Sequence, residues 1–356
     1  MNGYQYKCNV TNTGVTTTTL TTNIANLSVY GTPTTPIITA TNSSGTVTTG
    51  NWSTSNLTIT ISGGTLSGAG AIGYQYSYDN STWTNYTGTI VYSTETSGQT
   101  IYARSYNTSS TTLISGNTTY IIKIDKTAPT ITASPSSCTA SQNKSVTISL
   151  TETGTSGLNS SNSYQYYLSS STTALLDGTW TAYTNGTAFT IGSGITGNRY
   201  LFIKRINDVA GNTSTANGTA TTISGTIYQM FGSYVFDNTA PTITSLTMAS
   251  NNTNTGYAQN GNTITLNMTF SEDLGTNPTV TIGGRTATIS GSGTTRIATY
   301  TIPTNENSLT EGSLGVSVSG YEDIAGNVGS TVTSLTSGTN TIYDRTKPIW
   351  TFIDNQ

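Results

Sequence analysis

Five aspartates recur in matched surroundings. Asp125-Lys126-Thr127-Ala128-Pro129 returns as Asp237-Asn238-Thr239-Ala240-Pro241 and as Asp344-Arg345-Thr346-Lys347-Pro348. A second phrase, Asp208-Val209-Ala210-Gly211-Asn212, is echoed by Asp323-Ile324-Ala325-Gly326-Asn327. Carboxylates backed by loop carbonyls are what a hard cation such as calcium takes as ligands, so Asp125, Asp208, Asp237, Asp323 and Asp344 are the candidate metal residues. The competing reading is local: an Asp in such a loop accepts N–H groups of its own backbone in an Asx-turn. Two facts favour the local reading. The chain has only 15 Asp and Glu, and Asn107-Thr108-Ser109-Ser110 stands where one more copy of the second phrase is expected. Nothing else in the sequence asks for a cofactor.

Aromatic residues are the other candidates. Trp83-Thr84-Asn85-Tyr86-Thr87 is matched by Trp180-Thr181-Ala182-Tyr183-Thr184. Trp83, Tyr86, Trp180 and Tyr183 have the rings that stack on sugars. A buried ring at the same place in two homologous modules gives the same recurrence, so a core position competes with ligand binding.

Catalysis lacks its usual parts. The chain has no His, which removes Ser-His-Asp and Cys-His nucleophiles and the commonest ligand of catalytic zinc. Cys8 and Cys138 have no base in their sequence surroundings, and the carboxylates are scattered in turns with no pair marked out for glycoside cleavage. The expectation is that the chain is not an enzyme. A formal net charge of −3 without a basic patch gives no footprint for nucleic acid. No apolar run reaches the roughly 18 residues that span a bilayer as a helix. Met1–Tyr6 has neither the basic nor the apolar region of a signal peptide. The chain reads as a segment of something longer, with any export or anchoring signal outside it.

The elements that must hold these residues are strands. Apolar residues come in short alternating runs rich in Ile, Val, Tyr and Thr, bounded by Gly, Asn and Ser, and no stretch shows helical spacing. The Asp-to-Pro phrases lie roughly a hundred residues apart, the size of one β-sandwich. They divide the chain into a C-terminal fragment of a module at 1–31, a module at 32–126, a homologous one at 127–238, one of a different subtype at 239–345, and the start of a further one at 346–356. Tyr74-Gln75-Tyr76 matches Tyr164-Gln165-Tyr166 between the second and third. Pro129, Pro241 and Pro348 suit a first strand at a sheet edge, where no ladder donor is missed.

The Asp-x-Thr-Ala-Pro joints, the Asp-x-Ala-Gly-Asn loops and Phe270-Ser271-Glu272-Asp273 resemble bacterial immunoglobulin-like (Big-type) tandem domains of surface and adhesin proteins. Tyr6-Lys7-Cys8-Asn9-Val10 is similar to strand F of immunoglobulin-like domains, with Cys8 either facing a missing strand or simply filling a core position. The resemblance implies an all-β chain of tandem immunoglobulin-like antiparallel β-sandwiches joined by short Pro-containing linkers. It implies an extracellular or cell-surface stalk or adhesin whose partner is a host or cell-surface ligand, a glycan among the candidates. In some such adhesins acidic residues at the joints hold calcium. The alternative is a carbohydrate-binding module array accessory to a glycosidase outside this segment.

Overall fold

The computed structural model describes the backbone at residues 5–6, 9–12, 18–21 and 25–26, and residues 27–216, 218–347 and 349 in full. Cys8 and Pro348 lie outside the described residues. Among those described, every regular element is a strand. The reason is visible in Leu57–Ser62, where Leu57, Ile59 and Ile61 are buried and Thr58 and Thr60 half-buried, a period of two that only an extended chain satisfies.

By compactness the chain divides into two units, one of residues 1–131, 150–163 and 204–217, the other of residues 132–149, 164–203 and 218–356. In the first, the strands are β1 (Ile37–Asn42), β2 (Trp52–Ser53), β3 (Leu57–Ser62), β4 (Ile72–Ser77), β5 (Thr84–Asn85), β6 (Ile90–Tyr92), β7 (Thr96–Asn107) and β8 (Thr118–Ile124). One sheet runs β6–β3–β1 and the other β5–β4–β7–β8–β2, with β2 parallel to β8 and the other pairs antiparallel. This is an immunoglobulin-type arrangement, with strands A, B and E facing C′, C, F and G. Ile38, Ala40, Leu57, Ile59 and Ile61 from the first sheet and Ile101, Ala103, Tyr120, Ile122 and Ile124 from the second form its core.

The second unit repeats the larger sheet. Its strands β9 (Cys138–Ser141), β10 (Lys144–Thr151), β11 (Gln165–Ser169), β12 (Thr181–Ala182), β13 (Ala188–Ile191), β14 (Gly197–Lys204) and β15 (Thr226–Phe236) include a sheet ordered β9–β15–β14–β11–β12, again with the first strand parallel to the last. β10 pairs antiparallel with β13. Further along come β16 (Ile243–Ser250), β17 (Tyr257–Ala258), β18 (Thr263–Phe270), β19 (Thr279–Ile282), β20 (Arg285–Thr286), β21 (Thr288–Ser290), β22 (Thr295–Thr301), β23 (Val316–Ser319) and β24 (Ile342–Tyr343). Here the sheet β16–β18–β22–β21 gains an extra edge strand, β20–β19–β23 forms another, and β24 runs parallel to β17. Their core, from Leu246 to Tyr343, is drawn wholly from these residues. The chain is therefore all-β, built of tandem immunoglobulin-like sandwiches. Pro129 and Pro241, which lead into the first strands after two joints, are both buried.

Candidate functional site

The joints are where acidic side chains gather. At the first, in the first unit, Asp125 is fully buried and hydrogen-bonded on both sides. Its N–H donates to Ser53 O (3.0 Å), at the edge strand β2. Its Oδ1 accepts from Thr127 N (3.0 Å) and its Oδ2 from Ser156 N (2.7 Å). Its carbonyl accepts from Asn212 Nδ2 (2.9 Å), the last residue of the Asp208 loop. Glu95, at the start of β7's neighbourhood, accepts Lys126 N (2.8 Å) and the Thr127 hydroxyl (3.1 Å). Asp208 is also fully buried. It spends its own oxygens on Gly211 N (2.7 Å), Asn212 N (2.8 Å) and Asn212 Nδ2 (2.7 Å). Glu152 enters beside them. One of its oxygens accepts Gly154 N, and the other is buried without a hydrogen bond. Burial pushes its carboxyl up, the Gly154 N–H pulls it down, and the charges of Asp125 and Asp208 push it up again.

The second joint, in the second unit, repeats the frame with different occupancy. Asp237 N donates to Ser141 O (3.0 Å), its Oδ1 accepts Thr239 N (3.0 Å), and its carbonyl accepts Asn327 Nδ2 (3.0 Å). Asp323, 3% exposed, accepts Asn327 N (2.8 Å) and Nδ2 (2.7 Å). Asn238 replaces the Glu clamp: its Nδ2 donates to Ile195 O (2.6 Å) and Gln142 O (3.0 Å). Here three carboxylates converge. Oxygens of Asp237, Glu272 and Asp323 lie within 4.8 Å of one another. Among the described residues Glu272 accepts no hydrogen bond, and burial together with the charges of Asp237 and Asp323 holds its carboxyl above the usual range. The oxygen-only donor set, half-buried and free of any ion pair among the described residues, suits a hard divalent cation.

Asp344 is exposed, yet makes the same local turn, accepting Thr346 N at 2.9 Å. Glu311 holds Arg345 N (3.1 Å) and the Thr346 hydroxyl (3.0 Å) as Glu95 holds the first joint. The three joint aspartates thus share one Asx-turn, and two of them meet a downstream Asn through their carbonyls. Glu95, Glu152 and Glu311 were not singled out from sequence, and Glu272 only as part of a phrase. A signal existed for two of them: Glu152 and Glu272 each stand two residues beyond the last buried apolar residue of a long strand, Leu150 and Phe270.

The four aromatic candidates do not share a face. Trp83 is half-exposed, with the Arg104 guanidinium 3.8 Å above its ring. Tyr86 packs on the core edge-on to Tyr74, at 6.3 Å. Trp180 sits 5.5 Å from both Tyr167 and Tyr228 in a local apolar cluster. Tyr183 is 8% exposed, beside Tyr164 and Phe189, and burial raises its hydroxyl's pKa. Cys138 is a free thiol. No helix among the described residues is long and apolar enough to cross a membrane.

No protein-family model matches the chain, and no curated protein does. Among solved structures it is similar to an I-band fragment of titin, at 9% identity and a TM-score of 0.35 over 88% of this chain and 98% of that one. It is also similar to the FN1–FN3 domains of chicken CNTN1, at 10% identity and a TM-score of 0.25 over 86% of this chain and 100% of that one. A third is the Bacteroides ovatus mixed-linkage glucan utilization locus protein SGBP-B, in complex with a mixed-linkage heptasaccharide. That similarity is 15% identity and a TM-score of 0.17, over 88% of this chain and 70% of that one.

Proposed function

We propose that the chain is a non-catalytic modular segment of an extracellular or cell-surface protein, a stalk that holds an adhesive surface away from its anchor. The modules are taken as 32–126, 127–238 and 239–345, with fragments at 1–31 and 346–356. The observation that carries this reading is the joint. The junctions at Asp125 and Asp237 are hydrogen-bonded splices, with Asn212 and Asn327 closing on the carbonyls of Asp125 and Asp237. A loose linker between independent domains needs no such splice. Limited digestion with a broad-specificity protease, followed by mass spectrometry, tests it. The joints at 125–129 and 237–241 should outlast the exposed turns in the intact chain. They should be cut at least tenfold faster in Asn212→Ala and Asn327→Ala. First cleavage of the intact chain at the joints would refute the stalk.

Calcium belongs to this proposal at the second joint, held by Asp237, Glu272 and Asp323, where it would neutralise three facing carboxylates and tie the joint together. At the first joint no such trio of carboxylates converges among the described residues, and both oxygens of Asp125 are taken by N–H donors. The expected result is that calcium raises the melting midpoint of the intact chain and that Glu272→Gln abolishes the rise. An unchanged midpoint with and without chelator would remove the metal from the reading.

A further inference from the structure

The outer face of the sheet β5–β4–β7–β8–β2 carries a cation whose side chain is fixed in place but whose charge is not used. Arg104 of β7 lies with its guanidinium 3.8 Å over the Trp83 ring. Its Nε donates to Gln75 Oε1 (2.9 Å), and Gln75 is itself held by Asn85 (2.9 Å). Register pairs Arg104 directly with Gln75 across the sheet. Among the described residues its two Nη groups have no hydrogen-bond partner, and it joins no ion pair. The fork is thus stacked on one face, tethered at Nε and open at the end that takes a carboxylate with two parallel hydrogen bonds.

Its neighbours are rings. Tyr102 and Tyr106 flank Arg104 on the same face by the period of two, and all three are half-exposed. Tyr106 lies across Gly73 of β4, where a Cβ would come within 2.4 Å of the ring. In the homologous sheet of the second unit, the pairing Tyr166↔Ile203 against Tyr76↔Ala103 puts Phe202 where Tyr102 stands and Tyr167 where Ser77 stands. There the face is closed by the chain's own Leu175, Trp180 and Tyr228. In residues 32–126 Trp83 lies over Arg104, and Tyr102, Arg104 and Tyr106 stay half-exposed.

We infer that this open face binds a carboxylated sugar, with Arg104 taking the carboxylate and Trp83, Tyr102 and Tyr106 offering rings to the adjoining saccharide units. A neutral sugar can accept from the guanidinium but leaves its charge unpaired, and a simple acid leaves the rings unused; a uronic acid uses both. The inference gives the adhesive part of the proposed function a ligand class. It is independent of the joints, so its failure leaves the protease result untouched.

Isothermal titration of the intact chain with oligogalacturonate, alginate oligomers and hyaluronan oligomers tests it. At least one should bind, with affinity falling as salt rises. Its methyl-esterified form should bind at least tenfold more weakly to the unaltered protein, a comparison that needs no variant. Arg104→Gln and Arg104→Lys should each lose at least tenfold, the second because it keeps the charge and loses the fork, with melting midpoints checked alongside. Absence of binding to all three, equal binding of the methyl ester, or equal binding of poly-glutamate would overturn the inference.

Discussion

Gly154 decides where the carboxylate of Asp125 can lie. A Cβ at residue 154 would meet Asp125 Oδ1 at 2.3 Å, so the acid and the loop fit only because that side chain is missing. Gly154→Ala is expected to destabilise the chain by about 1–3 kcal/mol, read as a lowered denaturant midpoint. Glu306 offers a test with pH. Its carboxyl is held down to about 2, first by the Ser308 hydroxyl, then by the Ser308 and Leu309 N–H groups, with the Arg285 charge adding to them. A depressed acid contributes stability that is complete above the ordinary glutamate value of 4.5 and is lost as pH falls toward 2. Thermal melts between pH 5 and pH 2 should therefore show a shallower loss in Glu306→Gln than in the unaltered chain (a test range set by about 4.5 and about 2). The joint aspartates were legible at this scale because their phrase repeats. Glu152 and Glu272 share only a place two residues beyond a strand's last buried apolar residue, and each acquires its meaning from acids far along the chain.

At the scale of the element, alternation does the work. Thr263–Phe270 buries Ile264, Leu266, Met268 and Phe270 and turns Asn267 outward, and period two alone foretold that strand. What alternation cannot say is which strands become neighbours. The short edge strands Trp52–Ser53 and Cys138–Ser141 each run parallel to the last long strand of their sheet, a pairing decided by where the chain leaves the preceding strand. The Glu clamps belong here too, because each ties a joint to a loop on its upstream side. Glu95→Ala removes acceptors from Lys126 N and the Thr127 hydroxyl, and should cost about 1–3 kcal/mol, with faster amide exchange at Lys126 as the specific readout. Glu95→Gln keeps one acceptor oxygen and should recover part of the protection.

For the whole molecule the relevant quantity is independence. The core around Leu266 draws only on residues 243 to 343, and that around Ile59 only on residues 38 to 124. Stability should then be close to a sum over modules and joints. Calorimetry of Leu266→Ala, a fully buried site, should show one transition lowered by about 2–5 kcal/mol and the transition belonging to residues 32–126 unmoved. A single transition shifting as a whole would mean that the modules unfold together.

The amino-acid sequence determined the class of structure here, because strand formation, turns and repeated joints are local or periodic properties that a reader can count along the chain. It also showed that the chain holds no histidine, which rules out histidine-based nucleophilic triads wherever it folds. Only the tertiary structure decided which carboxylates meet, that Trp83 carries a guanidinium while Trp180 is packed among rings, and that Arg104 stands between two half-exposed tyrosines. Those outcomes depend on distances between residues far apart in sequence, and such distances are set by how sheets pair and stack.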